Sequence, residues 1–503
     1  MIKLVDDFLD HLTMYRLVLY YLAALLGAAF ILGFLGMVPH DPTAIAFSTV
    51  LILVVCWIAN WVFARLFAVP ANSESVYITA LILALILDPV TASDASGMGV
   101  LAFASVWAMA SKFIFAFERK HLFNPAAFGV ALTAIFLNAP ATWWVAGNLS
   151  LLPVVLAGGV LIVRKLRRLD LVATFILAAL ATMLATSAPE QYGAVLLETA
   201  KSSPLFFFAF VMLTEPLTAP TMPVPRLAFA ALVGFLFAPN IHIGAFYLTP
   251  ELALLAGNFF AFLVGPAGRF ALTLDRIEQT AANTYDFIFR SPQRLAFQAG
   301  QYLEWTLGLD RSDSRGNRRY FTVASAPTEE TVRLGVKFYP RGSAFKHALG
   351  SMSPGDTIYA AQVAGSFTLP SNRERKLAFI AGGIGITPFR SMLQYLIDRG
   401  EARPIVMLYG AAQPEDIAYR EVIEAAQSEL GIPTVFAVAN GAEAGQYPGF
   451  IDAELVRRAI PDFRERLFYI SGPQAMVKNL RQMLLRLGVR RSRIKVDFFP
   501  GFA

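Results

Sequence analysis

Long apolar runs fill the first half of the chain, and short alternating ones fill the second. Between Leu17 and about Gly265, hydrophobic stretches recur at roughly 17–36, 43–64, 75–92, 97–115, 126–145, 150–163, 171–187, 203–217, 227–241 and 247–265. About ten helices follow from that pattern, several of them shorter than the ~20 residues that cross a bilayer upright. Past Arg269 the period changes. From about 270 to 370 apolar and polar residues alternate over short runs divided by turn signals, as in an antiparallel barrel. Beyond that, Leu377–Leu393 reads as strand, glycine-rich turn and helix. Ile405–Gly410, Thr434–Ala439 and Leu467–Ser471 read as further strands of an α/β domain. The expected architecture is a polytopic α-helical membrane domain (1–268), an antiparallel β-barrel (269–372) and an α/β domain (373–503).

Composition agrees with this split. Of 503 residues, 56% are hydrophobic and 16% charged, too apolar for one soluble globule. Asp6, Asp7 and Asp10 stand where a cleavable signal peptide needs positive charge. Cys56 is the single cysteine, which excludes internal disulfides and clusters held by four thiolates.

The net charge of +6 does not read as a nucleic-acid footprint, because much of it lies in short loops between apolar runs. Arg16, Arg65, Lys112–His121, Arg164–Arg168, Arg226 and Arg269 occupy every second connection. The others carry Asp41, Asp88, Asp94, Glu190 and His242, with Lys201 the one basic exception. Basic loops stay cytoplasmic. Both termini are therefore expected inside the cell, in a multi-pass protein of the cytoplasmic membrane.

Two stretches repeat. LILDPVTA (Leu85–Ala92) closes the third apolar run and VMLTEPLTA (Val211–Ala219) the eighth. Each carries an acid, Pro, an aliphatic residue, Thr and Ala. Five segments separate them, which places them at opposite faces, as an inverted repeat of two five-helix halves would. Two unrelated helix stops would leave a similar breaker. Proline near membrane depth frees backbone groups that can line a cavity for a polar ligand. Asp88, Thr214, Glu215 and Thr218 are accordingly candidates for a cofactor site in the membrane domain. Asn124, before the fifth run, and Asn258, inside the tenth, join them.

The second half holds more specific chemistry. In Arg319-Tyr320-Phe321-Thr322-Val323-Ala324-Ser325, an arginine suits a pyrophosphate. An aromatic residue suits a flavin ring, and a hydroxyl suits its N5. An ordinary strand also uses such residues. Tyr339–Phe345 supplies a turn and a short helix whose amides suit phosphate. In LAFIAGGIGITPFRSML (Leu377–Leu393), Gly382, Gly383 and Gly385 let backbone approach a pyrophosphate, and Thr387-Pro388 opens the helix. Such turns are weak evidence alone, and this one gains weight from its place ~60 residues after the arginine motif and ahead of further strand–helix alternation.

On FNPAAFGVAL (Phe123–Leu132), MLTEPLTAPTMPVPR (Met212–Arg226) and YLTPELALLAGN (Tyr247–Asn258), residues of about 15–265 resemble a family of membrane subunits shared by the sodium-pumping NADH:quinone reductase and the Rnf complex. That resemblance implies ten helices in an inverted repeat that relay electrons through flavins. The family attaches FMN to threonine in a Ser-Gly-Ala-Thr motif. Here Ala185-Thr186-Ser187-Ala188 has the wrong order, so any membrane FMN or riboflavin is expected to be noncovalent.

Residues of about 270–503 resemble the ferredoxin–NADP reductase superfamily, in motif order and spacing. The resemblance implies that Arg319, Tyr320, Phe321, Thr322, Val323, Ser325, Gly342, Ser343, Ala344 and Phe499 bind FAD. It further implies that Gly382, Gly383, Gly385, Thr387, Pro388, Tyr409, Gly410, Ser471, Gly472 and Pro473 bind the nicotinamide dinucleotide, with Thr322 and Ser471 nearest the hydride. Two positions depart from the family: Ser471 replaces a usual cysteine, and Lys346 stands where a hydroxyl is expected at the start of the phosphate-binding helix. Ala411-Ala412-Gln413 offers no cation for a 2′-phosphate, which favours NADH unless Arg390 or Arg420 folds back to supply one.

These features predict a membrane-bound NAD(P)H oxidoreductase. Hydride would pass to FAD and electrons to a flavin, a quinone or an extracytoplasmic acceptor protein. A haem relay needs about four helical histidines, and the five present are poorly placed for it. A redox-coupled ion pump is one alternative, suggested by the repeat. A membrane domain that only docks a partner is another.

Overall fold

The computed structural model describes residues 9, 12, 14–67, 73–117, 120–166, 168–220, 222–244, 246–264, 270–308, 317–340 and 342–497. The chain divides into two compact units, Met1–Ala267 and Gly268–Ala503.

The first unit is helical. Its capped helices start where short polar side chains meet proline or glycine. Asp41 accepts from the Thr43 amide at 2.7 Å to open Pro42–Leu66. Asp94 accepts from Gly97 at 2.9 Å before Ala95–Ile114. Asn124 accepts from Ala127 at 3.0 Å before Pro125–Leu137. Each satisfies an amide that the helix itself leaves orphaned. Met14–Phe34, Pro42–Leu66 and Ala95–Ile114 are long and apolar enough to cross a membrane. Glu74–Ile86, Pro125–Leu137, Leu169–Ala185, Pro223–Phe237 and Pro250–Val264 are apolar but shorter.

Two boundaries differ from the sequence expectation. The run expected over 75–92 stops being helical at Ile86, because Pro89 removes an amide and disfavours helix at the residue before it. The run at 203–217 is broken into Leu205–Phe207 and a π turn over Phe208–Met212. It is preceded by an unforeseen helix, Tyr192–Ser202, and the pair bends by 65°.

Leu169–Ala185 packs on Pro223–Phe237, which packs on Pro250–Val264. Pro42–Leu66 packs on Ala95–Ile114, which packs on Pro125–Leu137. Pro125–Leu137 meets Pro250–Val264, and Met14–Phe34 meets Leu152–Leu166. A hairpin of two-residue strands precedes two of the proline-started helices, β1 (Ala116–Phe117) with β2 (Lys120–His121) before Pro125–Leu137, and β3 (His242–Ile243) with β4 (Phe246–Tyr247) before Pro250–Val264.

The second unit carries two six-stranded sheets. The first runs β8-β7-β10-β5-β6-β9 and is antiparallel throughout: β5 Phe270–Ala281, β6 Thr284–Arg290, β7 Tyr302–Thr306, β8 Arg318–Thr322, β9 Val332–Lys337 and β10 Thr357–Ala364. The ladder leaves β8 and β9 as its edges. Just beyond β8, the Ala324 amide donates to the Arg333 carbonyl of β9 at 2.9 Å. Leu272, Phe289, Leu303, Trp305 and Phe345 fill the interior.

The second sheet is parallel, in the order β14-β13-β12-β11-β15-β16: β11 Leu377–Gly382, β12 Ile405–Ala411, β13 Thr434–Val438, β14 Tyr447–Pro448, β15 Leu467–Ser471 and β16 Ile494–Asp497. Its central strands read as unbroken apolar runs because both faces are covered. Phe379 and Tyr469 pack with Phe389 of the helix Thr387–Asp398 on one face, and Ile380 and Ile470 with Leu480 of the helix Gln474–Arg486 on the other. Strand order reverses between β11 and β15, and in open α/β sheets ligands bind at such a point, outside the carboxyl ends of the strands.

Close helix contacts in the first unit rest on missing side chains. A Cβ on Gly234 would sit 2.6 Å from the Phe175 carbonyl, whereas one on Gly27 would meet nothing within 4 Å. Gly234→Ala should therefore destabilise the detergent-solubilised protein by about 1–3 kcal/mol through overpacking. Gly27→Ala should be neutral or stabilise it by up to about 1 kcal/mol. Thermal unfolding of the two variants checks this.

Candidate functional site

At the switch point the backbone itself makes the site. Gly382 ends β11, and a 3₁₀ turn over Gly383–Ile386 leads into the helix Thr387–Asp398 with Pro388 in its first turn. The three glycines serve different ends. A Cβ on Gly382 would strike the Met476 sulfur at 2.3 Å, and one on Gly385 would strike the Gly472 Cα at 2.4 Å. Gly385 lets the turn lie against the Ser471–Gly472 backbone, and Gly382 makes room for the Met476 side chain. Gly383 has φ +50°, and its missing Cβ faces open space. It is the glycine that leaves backbone accessible to a ligand, so the turn fits a dinucleotide pyrophosphate.

Around it, Ser471 ends β15 opposite Ala381 in the parallel register. Pro473 is exposed at the start of Gln474–Arg486. Thr387 turns its hydroxyl back to the Ile384 carbonyl at 3.2 Å, stiffening the turn. Tyr409 is fully buried, donates to the Gly383 carbonyl at 3.2 Å and accepts from the Ala418 amide at 3.1 Å. Its role is to brace the glycine turn from below. Gly410 follows it toward the end of β12.

The strand β8 presents the other motif. Arg319 lies over the Phe345 ring at 5.4 Å, and Phe321 packs on the same ring at 5.9 Å. Tyr320 points to the opposite side, donating to Glu304 Oε2 at 2.8 Å. Thr322 is buried at the strand end, Val323 sits in the sheet core, and Ser325 accepts the Arg333 amide at 3.1 Å. Ser343 caps the helix Ala344–Gly350, accepting the Lys346 amide at 3.4 Å. The hydroxyl helix start expected at Lys346 is thus supplied three residues earlier, by Ser343 next to Gly342. Lys346 instead donates to the Lys337 carbonyl at 2.8 Å. Phe499 lies outside the described residues. With an arginine, ring faces, a buried hydroxyl and a capped helix start along one edge, the β8 side fits FAD.

Several residues that pattern reading passed over tie these two edges together. Asp286 of β6, 0% exposed, accepts from Tyr419 at 2.5 Å and pairs with Arg333. Burial pushes the Asp286 carboxyl up, with the Tyr419 hydroxyl and Arg333 opposing. Burial, with Asp286 adding to it, pushes the Tyr419 hydroxyl well up. Tyr419 stands at φ +57°, unusual for a bulky side chain. Gly335 makes room for it, since a Cβ there would lie 2.4 Å from the Tyr419 hydroxyl. An aspartate inside the apolar strand Thr284–Arg290 was the available signal.

In the first unit, four of the six candidates converge. Glu215 Oε2 accepts from Asn124 Nδ2 at 2.9 Å and from the Thr218 hydroxyl at 3.0 Å. Its Oε1 lies 3.1 Å from His121 Nε2. Asn258 Oδ1 accepts the Asn124 amide at 2.8 Å, and its Nδ2 donates to the Thr218 carbonyl at 3.4 Å. Thr214 donates to the Phe210 carbonyl at 2.6 Å, a backbone role. Asp88 stands apart, 61% exposed and 3.6 Å from His40. The Glu215 carboxylate thus takes three contacts from within the cluster and is 21% exposed, which leaves acceptor capacity for a further donor.

Together the two edges of the second unit define a flavin- and nicotinamide-binding reductase module. Comparison with known proteins agrees. Residues 271–368 match the oxidoreductase FAD-binding domain and residues 379–482 the oxidoreductase NAD-binding domain. Residues 144–266 match the NQR2, RnfD, RnfE family. The chain thus joins an FAD-dependent reductase module to an NQR2/RnfD-like apolar unit. A flavohemoprotein of Bacillus cereus is 27% identical over 216 residues, 41% of this chain and 53% of its own length. The reductase subunit Stc4 of stachydrine N-demethylase from Rhizobium meliloti is 29% identical over 233 residues, 44% and 65% of the two chains. The chain spans about half the length of the flavohemoprotein. Among solved structures, the FAD/NAD-binding domain of a Vibrio cholerae nitric oxide dioxygenase is similar, with a TM-score of 0.42, 21% identity, and coverage of 46% of this chain and 98% of that one.

Gly383→Ala fills open space at a strained φ and should raise the KM for the nicotinamide dinucleotide by about 10-fold with FAD retained. Gly385→Ala drives a Cβ into backbone and should abolish dinucleotide binding and lower thermal stability. Steady-state kinetics and flavin content of both variants decide.

Proposed function

We propose that the protein is a membrane-bound NAD(P)H:acceptor oxidoreductase. In this reading a nicotinamide dinucleotide docks on Gly382–Thr387 and Ser471–Pro473, FAD lies along Arg319–Thr322 with its phosphates toward Gly342–Ala344, and electrons go on to an acceptor at the apolar unit. Bound FAD supplies the exchange between a hydride donor and one- or two-electron acceptors. The carrying observation is the glycine turn at the switch point, open at Gly383 and braced by Tyr409. Arg319 would pair with the pyrophosphate, Thr322 would hydrogen-bond the ring edge, and Ser471 would orient the nicotinamide. The domain limits 1–268, 269–372 and 373–503 go with this reading.

NADH is the favoured donor. Arg390 is engaged with Glu329, and Arg420 lies 5.3 Å over the Phe436 ring. Ala411-Ala412-Gln413 adds no cation near the end of β12.

For the apolar unit we infer about ten membrane segments in two inverted halves, with both termini cytoplasmic. Matched helix pairings, a hairpin before the last helix of each half, and the acid-Pro breaks at Asp88 and Glu215 support that repeat. The Glu215 cluster is then the candidate site for an acceptor, either a noncovalent FMN or riboflavin or a quinone.

Purified full-length protein should carry acid-releasable FAD that NADH bleaches anaerobically at least ~10-fold faster than NADPH does, a preference worth about 1.4 kcal/mol. A second flavin per chain would assign the membrane acceptor as a flavin, and a single FAD would leave a quinone or a separate partner protein as the acceptor. Protein without FAD, or with FAD that neither dinucleotide bleaches, would overturn the reading.

A further inference from the structure

We propose that Arg390 and Ser391 are positioning residues that set the distance for hydride transfer, by bolting the nicotinamide-side helix to the end of the flavin-side strand. The inference rests on the site assignment above and goes beyond it to residues that touch neither ligand.

Arg390 is 5% exposed on the helix Thr387–Asp398, which starts at the glycine turn. Its Nη1 donates to the Ala324 carbonyl at 3.1 Å. Its Nη2 donates to Glu329 Oε1 at 3.0 Å, and Nη1 also binds Glu329 Oε2. Glu329 in turn accepts the Ala326 amide at 2.5 Å. One turn-forming carboxylate therefore holds both the guanidinium and the backbone that follows β8. The next residue repeats the link, since the Ser391 hydroxyl donates to the Ser325 carbonyl at 2.7 Å between fully buried groups. Farther along the helix, Asp398 accepts from Thr328.

The spacing gives these bonds their meaning. Ala324 lies two residues past Thr322, and Arg390 lies three past Thr387. The path from the flavin hydroxyl to the nicotinamide turn thus runs through Val323, Ala324 and Arg390, all buried. A guanidinium forked between a carbonyl and a carboxylate is rigid in a way that a lysine ammonium is not. Transfer between held reactants depends steeply on placement, and a 1 Å error costs on the order of 100-fold. The Tyr419–Asp286 contact, from the residue before the helix Arg420–Leu430 to β6, fixes a second point between the same two lobes, so loss of the Arg390 bolt should displace the rings without parting the lobes.

The test uses full-length protein in detergent, with Arg390→Lys and Ser391→Ala compared against wild type. Four quantities are read: FAD per chain, dissociation constant for NAD⁺, rate of anaerobic flavin bleaching per bound FAD, and the deuterium isotope effect with 4-deuterated NADH. The expectation for Arg390→Lys is bleaching slowed at least ~10-fold with an altered isotope effect, while FAD content and NAD⁺ affinity stay within about twofold. Ser391→Ala should show the same pattern at about threefold. Should Arg390→Lys fail to fold, Ser391→Ala decides. Bleaching per FAD at the wild-type rate in the folded variants, or loss confined to FAD content or NAD⁺ affinity, overturns the proposal. Wild-type flavin that neither NADH nor NADPH bleaches defeats the functional reading instead, and this proposal with it.

Discussion

Polar bonds buried between the two lobes of the second unit fix one against the other, and in the proposed reading this is what holds two ligands in contact. An antiparallel sheet offers an edge, and a parallel sheet offers the carboxyl ends of its strands. Neither alone brings ring to ring. Apolar contact between lobes would leave them free to slide, since hydrophobic attraction has no direction. Directional bonds from Arg390, Ser391 and Tyr419 to Ala324, Ser325 and Asp286 remove that freedom. Buried polar groups are costly when unpaired and specifying when paired. Gly335 and the left-handed Tyr419 are the local concessions made to keep one such pair.

The apolar unit meets a different constraint, the need to satisfy backbone and acids where proline breaks a helix. Its two similar breaks solve it differently. Glu215 is wrapped by His121, Asn124 and Thr218, and Asn258 closes the cluster from the last helix. Asp88 is open and meets only His40 among the described residues. Two stretches alike in sequence thus carry one enclosed and one open polar site.

Much of this was legible in the chain, for reasons that can be named. The change of hydrophobic period near Arg269 separates the two units because a bilayer and a half-buried strand impose different spacings. The glycine turn at Gly382–Thr387 was readable because a close approach of backbone to backbone admits few residues. Thr218, Asn124 and Asn258 stood out as polar groups in apolar surroundings. Hidden features depended on tertiary partners. No local pattern marks Arg390 as bound to Ala324 rather than free for a phosphate, and nothing near Ser343 says that it, rather than position 346, caps its helix. The helix Tyr192–Ser202 escaped because Glu198 and Lys201 dilute its apolar signal, and the π turn after Phe207 because no side-chain period announces it.

In the proposed reading, electrons entering at the reductase module leave through the apolar unit by way of the Glu215 cluster. The most direct measurement is a pair of half-reactions on full-length protein in lipid nanodiscs: flavin bleaching by NADH, then recovery on adding a lipid-soluble quinone. In Glu215→Gln, bleaching should keep the wild-type rate while recovery slows at least ~10-fold, the loss of about one charge-assisted hydrogen bond. Recovery at the wild-type rate would instead mean that electrons leave the flavin without using that cluster, and would overturn the proposed route.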